Sequence, residues 1–139
     1  MIDFKWISND HINEVYFPSL SHEYTYLCLD SSGGKSLFLD SMLYKKYNWY
    51  IARNNNIDCA VLILHQVDDI LFLKFIEVSE FYKHKGIGTK IIKKLIEISK
   101  KNNIIEIRLE PRSEKLKKFY ESIGFIENES NKIEMYIKI

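Results

Sequence analysis

Between an apolar run, Ile70 to Val78, and an amphipathic one, Ile87 to Lys101, the chain reads Lys83-His84-Lys85-Gly86-Ile87-Gly88-Thr89, a basic turn punctuated by two glycines. A strand that ends in such a turn and feeds a helix leaves the first backbone N–H groups of that helix unpaired. Together with the positive end of the helix dipole, these groups suit a pyrophosphate. Gly86 and Gly88 carry no Cβ, so an anion can approach the backbone closely. The pair falls short of the dinucleotide fingerprint Gly-x-Gly-x-x-Gly, because Ile91 stands at the third glycine position. Lys83, Lys85, Lys90, Lys93 and Lys94 crowd the turn and its helix. A solvated lysine face explains the last two as well as a polyanion does, and Lys100 and Lys101 complement the dipole at the far end.

The residues beyond this helix narrow the reading. A second apolar strand, Ile104 to Leu109, leads to Pro111 and a short helix containing Leu116-Lys117-Lys118-Phe119-Tyr120-Glu121-Ser122-Ile123-Gly124-Phe125. Here the chain resembles the GNAT superfamily of acyl-CoA-dependent N-acetyltransferases. Lys83, Gly86 and Gly88 match the family's Arg/Gln-x-x-Gly-x-Gly/Ala loop, preceded by Val78 at a strand end. Phe119, Tyr120, Glu121, Gly124 and Phe125 match its Phe-Tyr-Glu-x-x-Gly-Phe segment. The resemblance covers about residues 70 to 127, and residues 1 to 69 carry no motif of their own. Lys83 replaces the usual Arg or Gln, Ser113 a common Asn and Leu116 a common small Ala. Lysine keeps the charge but loses the fork of donors, and leucine adds bulk near the expected pantetheine path.

The resemblance implies an α/β GNAT fold: a mixed sheet of six or seven strands with splayed central parallel strands, flanked by about four helices. It implies acetyl-CoA as co-substrate, an amine of a small molecule or a peptide as acceptor, and no metal. N-acetyl transfer needs a bound thioester, a donor near its carbonyl oxygen, a neutral amine and a proton for the departing thiolate. By resemblance, Ile76 to Val78 splay from their parallel neighbour to hold the pantetheine, with the Val78 N–H facing the thioester oxygen. Lys83, His84, Lys85, Gly86, Ile87, Gly88, Thr89 and Ser113 complete the cofactor site. Tyr120, a weak acid with an ordinary pKa near ~10, is the expected proton donor. Glu77 is the candidate base acting through water, and a solvated strand-face glutamate is its plain alternative. No cysteine lies in the matched motifs, so direct attack in a ternary complex is expected. An acyl-CoA-binding sensor or interaction domain without turnover is the reading from a different class.

The elements that must position these groups fit one domain of 139 residues. Twenty basic against 19 acidic residues leave a net charge of +1, which argues for neither a nucleic-acid nor a membrane partner and leaves a homodimer open. The N-terminus lacks signal-peptide features and no apolar run approaches the ~20 residues of a membrane span, so a cytoplasmic location is expected. Cys28 and Cys59 have no metal-site spacing, and Cys59 reads as a small buried hydrophobe. His11, His22 and His65 are isolated. Gly34-Lys35-Ser36 imitates the end of a Walker A loop, but Leu29 occupies the place of its first glycine.

Along the chain, Asp3 to Ile7 reads as an edge strand, followed by Ser8 and Asn9 or Asp10 as starters of a helix that carries Ile12, Val15 and Tyr16. Phe17 to Asn48 is irregular and aromatic-rich, with a helix from Ser36 through Tyr47; in the family this region shapes the acceptor pocket. Trp49 to Arg53 and Asp58 to His65 read as strands around Asn54-Asn55-Asn56, with Ile70 to Val78 completing an antiparallel meander. The helix from Gly86 to Lys101 places Ile87, Ile91, Leu95 and Ile98 on one stripe, widened by Ile92 and Ile96. The strands flanking it should run parallel. Ser113 reads as an N-cap, Leu116, Phe119 and Ile123 as the buried stripe of the last helix, and Gly124 as its stop. Phe125 to Glu127 and Ile133 to Ile139 form a closing hairpin around Asn128 to Lys132.

Overall fold

The computed structural model describes residues 1–7, 47–78, 82 and 86–139. Among them seven strands form one sheet: β1 (Ile2–Ile7), β2 (Asn48–Asn54), β3 (Ile57–Val67), β4 (Ile70–Val78), β5 (Glu106–Leu109), β6 (Ile126–Asn128) and β7 (Asn131–Lys138). Their spatial order is β1-β2-β3-β4-β5-β7-β6. Two helices are described, α1 (Ile87–Lys101) and α2 (Glu114–Ile123). Neither is long and apolar enough to cross a membrane. The helices expected from Ser8 and from Ser36, the Gly34-Lys35-Ser36 turn, His11, His22, Cys28, Lys83, His84 and Lys85 lie outside the described residues. Tyr47, the expected end of one of those helices, is a bend before β2.

Strands β1 to β4 form the antiparallel meander. Asn55 and Asn56 turn β2 into β3 with φ of 52° and 69°, left-handed values that asparagine tolerates better than most side chains. The N-terminal amino group donates to Asn55 Oδ1 at 2.6 Å and ties β1 to this turn. Helix α1 then crosses over, and β5 lies parallel to β4. The strand begins at Glu106, two residues later than expected. The Ile104 N–H donates to Ser99 O at 3.0 Å and the Ile105 N–H to Asp69 O at 2.8 Å, closing the connection from the helix. The last hairpin is also tighter than expected. Asn128 Oδ1 accepts from the Ser130 N–H at 3.1 Å and the Ser130 hydroxyl at 2.9 Å, so β7 starts already at Asn131.

Alternation along the strands gives the sheet two apolar faces. On one, Ile87, Ile91, Ile92 and Leu95 of α1 pack against Leu62, Leu71, Leu73, Ile107 and Met135. The buried stripe of α1 turns through Ile92 and Ser99, while Ile96 and Ile98 are only half-buried. Each fully buried isoleucine stabilises the fold by roughly 1.5–3 kcal/mol, which outweighs the ~1 kcal/mol that a side-chain cap contributes. On the opposite face Ile51, Val61, Ile63 and Phe75 are buried.

Helix α2 corrects the expected stripe. Its buried residue is Tyr120, with Phe119 and Ile123 half-buried and Leu116 37% exposed. The Tyr120 ring stands edge-on to Phe119 at 5.1 Å and to Phe125 at 5.5 Å. This aromatic packing rotates the helix so that its first turn, with Leu116, overhangs an opening. Gly124 ends the helix at φ 123°, as its left-handed backbone requires.

Candidate active site

The opening follows from the backbone of two strands. β4 and β5 pair only over Ile70–Leu73 and Glu106–Leu109. Beyond Leu109 the chain turns away through Pro111, which has no N–H to extend a ladder, while β4 continues to Val78. A bulge bends β4 at the same level. Ile63 pairs with Phe75 and Leu64 with Leu73, leaving Lys74 as the extra residue. The expected splay between the central parallel strands is therefore present. A cavity of about 30 Å³ lies in it, room for about two water molecules. On the α1 side its walls are Leu73, Ile76, Leu109, Leu116 and Tyr120; Lys74, Phe75, Glu110, Pro111 and Arg112 complete it.

At the head of α1, Gly86 occupies the cap position with φ 78° and ψ 5°; no side chain caps the helix, and its first turn holds no acidic residue. A Cβ built on Gly86 would meet no atom within 4 Å. The first amides of the helix are therefore left to solvent or to an anion. Ile87 turns its side chain into the core, so only its backbone is available to a ligand. A Cβ on Gly88 would meet the Phe119 ring of α2 at 3.4 Å, an ordinary van der Waals contact, so the side-chain position of this glycine faces α2.

Tyr120 is 4% exposed and lines the cavity. No described residue hydrogen-bonds its hydroxyl. Burial pushes the phenol up to about 12, with the Arg112 charge acting in the opposite direction. The group therefore stays protonated through the physiological range and acts as a donor. Ser113 caps α2, its hydroxyl accepting from the Leu116 N–H at 3.1 Å, which leaves the hydroxyl proton available. Ile76 and Val78 are half-buried against the α1-side core. Glu77 pairs across the ladder with Val61, is half-buried, and shares the opposite face with Phe75. Cys59 lies away from the cavity, donates to Ala52 O at 3.3 Å, and is pushed up to about 11 by burial and by Asp58 and Asp3. His65 stacks on Tyr47 at 4.6 Å between ring centres.

The structure thus brings Ile76, Tyr120 and the head of the Ser113-capped helix to one cleft. Two residues outside the sequence motifs join them there, Lys74 and Arg112. A lysine interrupting the apolar strand Ile-Leu-Phe-Leu-Lys-Phe-Ile was the one sequence signal for the first.

The sequence model of the acetyltransferase (GNAT) family matches residues 10–125. A comparison with curated protein sequences found no match. Among solved structures, a GNAT family acetyltransferase from Elizabethkingia anophelis with acetyl-CoA bound is 18% identical, with a TM-score of 0.68 over 99% of this chain and 98% of that one. The PaiA N-acetyltransferase of Thermoplasma acidophilum, in complex with coenzyme A, is 17% identical, with a TM-score of 0.66 over 100% and 99% of the two chains. The ribosomal-protein-S18-alanine N-acetyltransferase of Escherichia coli is 18% identical, with a TM-score of 0.63 over 100% and 94%. These likenesses show a shared fold. On its sequence match, this chain belongs to the acetyltransferase (GNAT) family.

Proposed function

We propose that residues 1–139 form a single cytoplasmic domain that moves an acetyl group from acetyl-CoA to a primary amine of a small molecule or a peptide. The observation that carries this reading is the arrangement of the cleft. A helix head that no described side chain caps, without a Cβ at Gly86, stands beside the same helix α2 that puts a buried phenol, unpartnered among the described residues, against the strand splay. The phosphates of acetyl-CoA bind the amides of Gly86 to Thr89, supported by Lys83, His84 and Lys85. Backbone groups of Ile76 and Val78 hold the pantetheine, and the Val78 N–H faces the thioester oxygen, where charge grows in the transition state. Ser113 contributes its hydroxyl proton near the cofactor.

The acceptor ammonium first loses a proton to Glu77 through water. The neutral nitrogen attacks the thioester carbon, the C–N bond forms, the C–S bond breaks with its electron pair leaving on sulfur, and the surplus proton on the acylated nitrogen passes to that thiolate. Tyr120 hydrogen-bonds that sulfur. Full transfer from a phenol at about 12 to a thiolate whose acid has a pKa near ~8.5 is uphill by roughly 5 kcal/mol, so the phenol stabilises the thiolate by its hydrogen bond and gives up its proton only in a relay that returns the surplus proton of the acylated nitrogen to its oxygen. A covalent acetyl intermediate on Cys59 is disfavoured, since this thiol is buried and pushed up to about 11.

Release of free thiol from acetyl-CoA with a panel of amines tests the proposal. Amine-dependent release that disappears in Gly86→Val is the expected result. The high phenol value favours one other reading, acyl-CoA binding without turnover. Tight calorimetric binding with no amine-dependent release would establish that reading instead.

A further inference from the structure

The three arginines of this chain differ in what faces them. Arg53 pairs with Asp3 at 2.9 Å. Arg108 lies between Glu106 and Glu134. Arg112 has no carboxylate partner among the described residues; its guanidinium sits 4.7 Å over the Phe75 ring. Lys74, on the bulge of β4, is held in the same manner. Its Nζ lies 5.5 Å from the Tyr47 ring centre and 5.9 Å from that of Phe72, again with no carboxylate partner. The difference is physical. A carboxylate cancels a guanidinium's charge, whereas an aromatic face fixes its position by a weak quadrupole attraction and leaves the charge available.

Both cations line the cavity, and the strand rings that hold them, Phe72 and Phe75, lie on the sheet face away from α1. Phe75, beneath Arg112, belongs to the sheet face opposite α1, and so do Phe72 and Glu77 by strand alternation. The α1-side wall, with Leu116 and Tyr120, contributes no formal charge. Glu110 is the one carboxylate among the lining residues, so Lys74 and Arg112 leave the lining one positive charge in excess. An acceptor that reaches the thioester from the face away from α1 meets two ring-mounted cations first and Glu77 further along β4.

We propose that the acceptor is a primary amine carrying its own anionic group, a carboxylate or a phosphate, and that Arg112 with Lys74 holds that anion while the amine points into the splay. The inference rests on the transferase reading and names the substrate class of the same site. Arg112 can offer two parallel N–H donors to such a group, and Lys74 a single point charge. Arg112 is the principal contact and Lys74 the lesser one.

Matched acceptors test it: phenylalanine, alanine and glycylglycine against their C-terminal amides, and O-phosphoethanolamine against ethanolamine. Thiol release is measured with acetyl-CoA at saturation and rates are corrected for the neutral-amine fraction. At least one anionic member is expected to exceed its neutral partner in kcat/KM by roughly 10- to 100-fold. Arg112→Met should remove that preference by lowering kcat/KM for the anionic member well beyond any loss with its neutral partner, and Arg112→Lys should restore part of it. Lys74→Met should reduce it by a smaller factor. The carboxylate and phosphate arms tell the two anions apart. Equal use of both members of every pair, or an equal loss on both in Arg112→Met, overturns the anion site and leaves the transferase reading standing. In parallel, calorimetry on the coenzyme A complex measures binding of the same anionic compounds. Binding that Arg112→Met abolishes, without thiol release, sustains the anion site and overturns the transferase reading. Absence of both binding and preference across the panel overturns the anion site.

Discussion

The two helices begin in opposite ways. Helix α1 starts at Gly86, with no side-chain cap and no acid in its first turn. Helix α2 starts at Ser113, whose hydroxyl takes the Leu116 N–H, and carries Glu114 in its first turn. Both helix heads concentrate partial positive charge, roughly half an elementary charge each. In α2 the protein satisfies that charge internally. In α1 it leaves the charge exposed beside a glycine whose missing side chain opens space. On the proposed reading the contrast puts the cofactor's phosphates at α1, while α2 carries Tyr120 about two turns beyond its cap.

Four substitutions break or sharpen the contrast, and the largest effect is expected within α2. Tyr120→Phe keeps the packed ring and deletes the hydroxyl. Single-turnover measurements should give a chemical rate lower by roughly 10- to 1000-fold with acetyl-CoA affinity within a few-fold. The same variant has a stability signature. The folded-state phenol, at about 12, lies above its ordinary 10.0, so its contribution is fully present below pH 10 and is lost as pH rises through about 12. Parent stability relative to Tyr120→Phe should therefore be flat to that lower pH and then fall, by an amount approaching roughly 3 kcal/mol in denaturant titrations.

Next, Gly86→Val fills the space at the head of α1 and forces a branched side chain into a left-handed backbone. Calorimetry should show acetyl-CoA affinity lower by about 100-fold. Thr89→Glu makes α1 resemble α2. A first-turn carboxylate should weaken acetyl-CoA binding by roughly 10- to 30-fold while stabilising the apo-protein by up to ~1 kcal/mol in thermal melts. The smallest effect belongs to Ser113→Ala. Losing the cap should destabilise the fold by about 1 kcal/mol, and acetyl-CoA affinity should drop by no more than roughly tenfold, since the hydroxyl proton supplies at most one neutral hydrogen bond.

Much of this frame was legible in the residues. Ile70 to Val78 was bounded by a turn on one side and a glycine-marked helix start on the other, and both strand ends fall where expected. Ser113, Gly124 and the parallel pair followed from capping and crossover rules that act locally. What could not be read depends on contacts between distant segments. Leu116 fits an apolar stripe by spacing, yet the edge-on packing of Tyr120 against Phe125 turns it outward. That the side-chain position of Gly88 faces the Phe119 ring depends on how α2 packs beside α1. The bulge at Lys74 shifts the register within β4. Arg112 acquires its position only because the sheet sets Phe75 beside the end of β5. Its sequence neighbourhood, Glu-Pro-Arg-Ser-Glu, suggests a paired surface arginine.

The measurement that tests the central claim most directly is a crystal structure of the protein with coenzyme A. The account predicts the pyrophosphate on the backbone amides between Gly86 and Thr89, and the sulfur in the β4–β5 splay within hydrogen-bond reach of the Tyr120 hydroxyl. Pyrophosphate bound away from the head of α1, or a sulfur outside the splay, would contradict it.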